Sequence, residues 1–190
     1  MIDSTPASRR RPTRSETRDR VVAAAASVFS EKGYGGAALE DIAARVSLTK
    51  GAIYSSFGGK DQLFLEVLKL RTDQRIDAVT SSPRQDGAAI GAILEEFTAE
   101  DPVWHLAFIQ FWASVTSGGG SQDAAGLAAL RQTLRTEIAE KLVKAGRDPD
   151  DASRLAILIL ALSNGLAIET AIDPEHTNGL FAQALRALLG

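Results

Sequence analysis

Cysteine is missing from all 190 residues. That excludes disulfides and thiolate metal sites and fits a reducing cytosol. Histidine is nearly missing too. His105 and His176 stand far apart, so no transition-metal site and no cofactor is expected. Strand-like alternation of useful length is absent, as is any internal repeat. The longest apolar run, Leu155 to Leu162, is short of the roughly 20 residues a membrane-crossing helix needs. The opening stretch from Ser4 to Arg20 is polar and basic, unlike a signal peptide, so no membrane association is expected. Catalytic signatures are also lacking. There is no nucleophile motif, and Gly118-Gly119-Gly120 is not followed by a Lys-Ser/Thr pair. Glu95, Glu96 and Glu100 read as the solvated side of a helix. An enzyme is not expected.

What remains is an apolar share of 45% and a charged share of 24%, rich in Ala, Leu, Glu and Arg, which favours an all-α fold. Charge is unevenly spread. Residues 1–60 hold ten Lys/Arg against six Asp/Glu, a balance of +4, and residues 61–190 balance at −7. A basic head on an acidic body suits a polyanionic partner for the head, although a merely solvated surface has the same signature. Residues 1–12 read as a disordered basic arm carrying Arg9, Arg10 and Arg11. With Arg14, these form either a solvated tail or an arm for an adjacent minor groove.

The spacing predicts about nine helices. The first opens on the capping box Thr13/Glu16 and stops at Gly33. The second carries Leu39, Ile42, Ala43 and Val46. Ser47-Leu48 makes a short turn, and the third runs from about Thr49 with Ile53 and Phe57 inward and Gly58-Gly59 as its end. The fourth starts near Lys60. The rest cover about 87–99, 102–116, 123–145, 149–172 and 174 to the end, the last four bounded by Pro or Gly. Helices two and three are short and linked by about three residues, the layout of a helix-turn-helix. The outer side of the third helix, Thr49, Lys50, Gly51, Ala52 and Ser55, is small or polar, as a groove-facing helix requires. Arg45 reads as a helix-end dipole partner rather than a DNA contact.

The stretch from Leu39-Glu40-Asp41-Ile42-Ala43 through Ser47-Leu48-Thr49-Lys50-Gly51-Ala52-Ile53-Tyr54, then Phe57, Lys60 and Leu63-Phe64, resembles the TetR family of transcriptional regulators. The resemblance covers roughly residues 15–75. It implies a DNA-binding head at 13–60 (helix-turn-helix about 38–57), a connecting helix at 61–82 and a ligand-binding and dimerisation body at 83–190. It implies a homodimer on double-stranded, palindromic operator DNA, released by a small-molecule effector, with Tyr54 and Lys60 on phosphates beside Thr49 to Ala52 and Ser55. Two positions depart from the family pattern: Ala38, where Thr or Ser is frequent, and Ser56, where His is frequent.

In the body, helix eight is apolar nearly all round and the last helix shows an unbroken stripe. Leu158, Leu162, Gly165, Phe181, Leu185 and Leu188 are therefore expected at a two-fold four-helix interface, with packing inside one protomer as the competing reading. The aromatic sixth helix and its surroundings, Phe97, Trp104, His105, Phe108, Phe111 and Trp112, with Gln110 and Asn164 as polar groups, are expected to wall an effector pocket. Ordinary core packing is the competing reading of the same aromatics. A helical docking dimer without DNA binding stays open, and sequence cannot separate activator from repressor.

Overall fold

A computed structural model describes residues 13–84, 86–117 and 121–189, without the side chains of 121–123. The basic-arm residues Arg9 to Arg11 and the triple glycine at 118–120 lie outside the described residues. Those residues form helices only: α1 Arg14–Gly36, α2 Leu39–Val46, α3 Lys50–Phe57, α4 Lys60–Ser81, α5 Gly87–Glu100, α6 Pro102–Thr116, α7 Ser121–Lys144, α8 Pro149–Ile172, the single turn α9 Pro174–Thr177 and α10 Leu180–Leu189.

Local chemistry sets the ends. The Thr13 hydroxyl accepts from the Glu16 N–H at 3.1 Å while the Glu16 carboxylate accepts from the Thr13 N–H at 2.6 Å. Gly33, at φ 68°, breaks α1 where the expected stop falls, and the chain runs on for a further turn. Asp86, Asp101 and Asp148 cap α5, α6 and α8, with Pro at the first position of α6 and α8. One boundary differs from expectation. The last helix is not continuous from Pro174, because Gly179 at φ 78° splits it into α9 and α10.

The larger core joins α1, α2 and α3 to α4, α6 and the start of α7. Phe64 on α4 is its centre. Its ring lies 4.9 Å from Phe29, 4.9 Å from Trp104, 4.6 Å from Phe111 and 5.2 Å from Tyr34. Each such buried ring contributes about 1.5–3 kcal/mol by burial, and each favourable pair about 0.5–1.5 kcal/mol more. A smaller core gathers Ile159, Phe181 and Leu185, with Ile90 and Leu94 beside them.

That second core corrects part of the expected dimer interface. Phe181 and Leu185, 3% and 0% exposed, are consumed inside the protomer because α10 lies directly on α5. Leu162 and Leu188 are half-buried against the same cluster. The close approach is made possible by Gly87 and Gly91, one turn apart on α5. A Cβ on either would strike α10 backbone, at Leu185 and Ala182 respectively. Leu158 and Gly165 remain on the outer side of α8 beside exposed Ile157, Ile168 and Ile172. An 18-residue window of the 24-residue α8 has a mean hydropathy of 2.0, so the helix is long and apolar enough to cross a bilayer by length and composition, which the short run Leu155 to Leu162 did not suggest. In the fold its inner side packs on α7, α6 and α10.

Replacing Gly91 with Ala tests the α5–α10 contact. Helix propensity alone favours Ala by about 1 kcal/mol. The clash with backbone is expected to dominate and lower stability by about 1–3 kcal/mol in urea unfolding. A variant as stable as the parent would show that the two helices are not so closely packed.

Candidate functional site

Two regions concentrate exposed or unusual polar chemistry: the outer surface of α3 and a cavity between α4, α5, α6, α7 and α8. At the first, Ser47 adopts the left-handed conformation (φ 56°, ψ 41°) that turns the chain out of α2. The Leu48 N–H closes the turn on the Ala43 carbonyl at 2.9 Å. Thr49 caps α3, its hydroxyl accepting from the Ala52 N–H at 3.2 Å. Ile53 and Phe57 are buried, whereas Lys50, Gly51, Tyr54 and Ser55 face outward, Tyr54 being 60% exposed; Ala52 is half-buried. A Cβ at Gly51 would meet nothing closer than its own cap's hydroxyl at 3.9 Å. The protein's own packing therefore gives no reason for glycine there.

Cations around this surface differ in how firmly they are held. Lys50 pairs with Glu40 at 2.7 Å, both more than half exposed, a contact of little energetic weight. Arg45 is tied back to α1 by Glu31 and by the Ser27 hydroxyl at 2.6 Å, so it points away from the role of a free contact. Arg18 lies 4.5 Å over the Phe57 ring and pairs with Glu66 at 2.7 Å, bracing α1 against α3 and α4. Lys60, the first residue of α4, stands 4.4 Å over the Tyr34 ring. Partial burial lowers its pKa, and Asp61 opposes the shift. Ala38 offers α2 no side-chain cap. Its N–H instead donates to Asp41 at 3.3 Å.

The cavity has a volume of about 190 Å³. Of the residues expected around an effector pocket, Trp104, His105, Phe108 and Asn164 line this cavity. Three other expected residues do not. Phe111 is fully buried in the Phe64 cluster, Trp112 is 52% exposed on the far side of α6, and Phe97 sits outside the wall with its ring 5.9 Å from the Arg75 guanidinium. The α6 face is narrower than the aromatic count suggests, because the inner rings are taken up by the head. Gln110 is likewise turned to the head, its carbonyl accepting from the Gly35 N–H at 2.9 Å.

Sequence reasoning missed Arg75, Arg131 and Lys141, all of which line the cavity. A signal was present. Arg131 interrupts the helical apolar series Leu127, Leu134, Ile138, and Arg75 the series Leu68, Val79. Burial, with Arg71 adding repulsion and Asp101 offsetting part of it, pulls the Arg75 pKa down to about 10. Burial also lowers that of Arg131, with Arg135 reinforcing it. His105 is 8% exposed. Burial first, then Arg75, depress its pKa to about 4, with Asp101 opposing. The ring is thus neutral near pH 7. Its Nδ1–H donates to the Asp101 carbonyl at 3.1 Å, and its Nε2 accepts from Arg75 at 3.2 Å.

Asp101 links cavity and head. Its carboxylate takes a 2.6 Å ion pair from Arg71 and a hydrogen bond from the Ser30 hydroxyl of α1, and caps the Trp104 N–H at 2.9 Å. Arg71 also lies 4.4 Å over the Trp104 ring.

Comparison with known proteins agrees with this arrangement. Residues 21–67 match the family model "Bacterial regulatory proteins, tetR family", and residues 83–190 match "BetI-type transcriptional repressor, C-terminal". The chain belongs to the TetR family. Among curated TetR-like relatives, it is 34% identical over 71 residues to the HTH-type transcriptional activator FasR of Mycolicibacterium smegmatis. That match covers 37% of this chain and 32% of FasR. It is 28% identical over 78 residues to the biofilm operon negative regulator IcaR of Staphylococcus aureus, covering 41% and 42%. The chain thus spans well under half the length of the curated relatives it matches. In fold it is similar to a TetR-family regulator from Rhodococcus (TM-score 0.70, 20% identity, 93% of this chain and 100% of that one). It is also similar to a regulator from Saccharomonospora viridis solved in complex with choline (TM-score 0.64, 22% identity, 93% and 96%).

The buried neutral histidine predicts a pH dependence. An unfolded His105 titrates near 6.5 and the folded one near 4. Between these values only the unfolded chain takes up the proton. The full stability is present above pH 6.5 and declines as pH falls towards 4, at about 1.4 kcal/mol per unit. Urea unfolding is expected to show a His105 contribution of about 2 kcal/mol lost between pH 6.5 and 5, largely absent in His105→Gln. Equal pH slopes for the two proteins would contradict this.

Proposed function

We propose that this TetR-family chain is a dimeric, sequence-specific DNA-binding regulator, and that it acts as a repressor released from a palindromic operator when a small molecule enters the α4–α8 cavity. The observation that carries the DNA-binding reading is the outer face of α3. It keeps a glycine that its own fold does not need, beside a small polar surface and an exposed phenol. Glycine inside a helix costs about 1 kcal/mol relative to alanine. Close approach of another molecule's backbone is the physical reason to keep it. Thr49, Lys50, Gly51, Ala52 and Ser55 then face the major groove, and Tyr54 and Lys60 contact phosphates. Lys50 can exchange Glu40 for phosphate at little cost, because both partners are solvated. The description of the matched C-terminal family as a repressor supports the sign of regulation. A regulator of this kind works in the cytoplasm, where the DNA is.

Dimerisation is proposed through α8. Its outer stripe, with Ile157 and Leu158 about half exposed and Ile172 at 74%, leaves an apolar surface that a second copy covers. Two heads can then occupy successive major grooves roughly 34 Å apart. The proposed switch runs along α4, since the helix that carries Phe64 and Arg71 towards the head also supplies Arg75 to the cavity wall. An effector acts only through a difference in affinity between the two arrangements.

Gel shifts with DNA from around the chain's own gene, at stated salt, test the reading. Gly51→Ala and Tyr54→Phe are each expected to weaken binding about tenfold, the latter by loss of a hydrogen bond to a charged phosphate, with melting temperatures unchanged or slightly raised. Parental affinity in both variants would remove α3 as the reading element. Leu158→Arg is expected to convert a dimer to a monomer in sedimentation and to abolish operator binding. A parent already monomeric at tens of micromolar would end the dimer proposal.

A further inference from the structure

The cavity's charge is opposite to what a cationic effector needs. Three of its lining residues are basic, Arg75, Arg131 and Lys141, and among the described residues no carboxylate lines it. The remaining polar groups, Thr72, Ser163, Asn164 and the neutral His105, carry no charge to balance them. The three cations are not equivalent. Lys141 feels Glu137 and Asp77 at the outer edge of the bundle. Arg75 feels Asp101, but that carboxylate is already bonded to Arg71 and Ser30. Arg131 is half-buried with no hydrogen bond or ion pair among the described residues, and its neighbour Arg135 adds repulsion while leaving its own buried Nε without a partner. A desolvated, unpaired guanidinium is costly. A carboxylate or phosphate oxygen pair matches its fork geometry and relieves that cost. The other walls, Leu68, Ile90, Leu94, Phe108, Leu134 and Ile138, are apolar.

We propose that the effector is an amphipathic organic anion, a carboxylate or phosphate head on a compact apolar body, with Arg131 anchoring the head and Arg75 supporting it. This rests on the effector-cavity reading above and names the chemical class that cavity takes. The volume of about 190 Å³ is of the order that admits a benzene-sized molecule, so the apolar body is short or the walls part to admit it. The class differs from choline, the cation held by the Saccharomonospora viridis neighbour. The present cavity would place a quaternary ammonium among guanidinium groups.

The test uses the full chain in thermal shift and calorimetry with octanoate, octyl phosphate, octan-1-ol and choline. One of the two anions is expected to raise the melting temperature and bind at least tenfold more tightly than the alcohol, and which of them does so identifies the head group. Arg131→Gln is expected to erase that preference while leaving octan-1-ol binding unchanged. Binding of choline, equal binding of alcohol and both anions, or no binding by any of the four overturns the proposal, and the comparison on the unaltered chain stands even if the variant misfolds. Gel shifts of the ligand-free protein are run beside it. Their failure removes the regulator reading, whereas loss of the anion preference alone removes only this one.

Discussion

The rest of the architecture depends on the ring of Phe64. It sits on α4 where that helix leaves the three-helix head, and it touches two aromatics from α1, Phe29 and Tyr34, on one side and two from α6, Trp104 and Phe111, on the other. Without it, the head would be left with α1–α3 and the first part of α4, a unit of the size at which a hydrophobic core is marginal. With it, the head's hydrophobic core runs on into the body, and α6 becomes a structural neighbour of the recognition unit. The Gln110 to Gly35 hydrogen bond and the Ser30–Asp101–Arg71 cluster surround that aromatic contact and orient it.

This constraint explains why the cavity lies where it does. With Phe111 and one face of Trp104 committed to Phe64, the space further along α4 is walled by Trp104, His105 and Phe108 of α6, by mostly aliphatic side chains from α5, α7 and α8, and by the basic ends of Arg75, Arg131 and Lys141. Arg71 and Arg75 stand one turn apart on α4. The first is neutralised by Asp101, and the second, left with a share of that charge, leans on a neutral histidine. One residue, Asp101, thus serves the head, through its carboxylate and Ser30, and the cavity wall, through its backbone carbonyl, which fixes His105. The α6 N-terminus and this stretch of α4 are thereby tied both to the head and to the cavity wall.

The head was legible in the sequence to the level of individual caps. The Thr13/Glu16 box, the Ser47-Leu48 turn, the start of α3 near Thr49 and the stop at Gly58 each obey rules that act within four residues. The candidate cavity was legible only in part. Trp104, His105, Phe108 and Asn164 fall on its wall, but Phe111, Trp112 and Gln110 share the same helix and point elsewhere. Helical spacing tells which residues share a face; it does not tell which neighbour that face will meet. The same gap explains Phe181 and Leu185. A continuous apolar stripe looks alike whether another protomer covers it or α5 does, and the pair Gly87 and Gly91 that draws α5 in carries no mark in sequence beyond its spacing.

By itself, the sequence determined an all-helical chain, the positions of most helix ends, a helix-turn-helix with an outward polar face and the family to which it belongs, because short-range hydrogen bonding and side-chain periodicity suffice for these. Only the tertiary structure decided which aromatics weld head to body, which apolar stripe stays outside on α8, and that three basic side chains converge on a cavity without a facing carboxylate. Those facts depend on contacts between residues dozens of positions apart, and the charge of a cavity belongs to the several helices that enclose it rather than to any one of them.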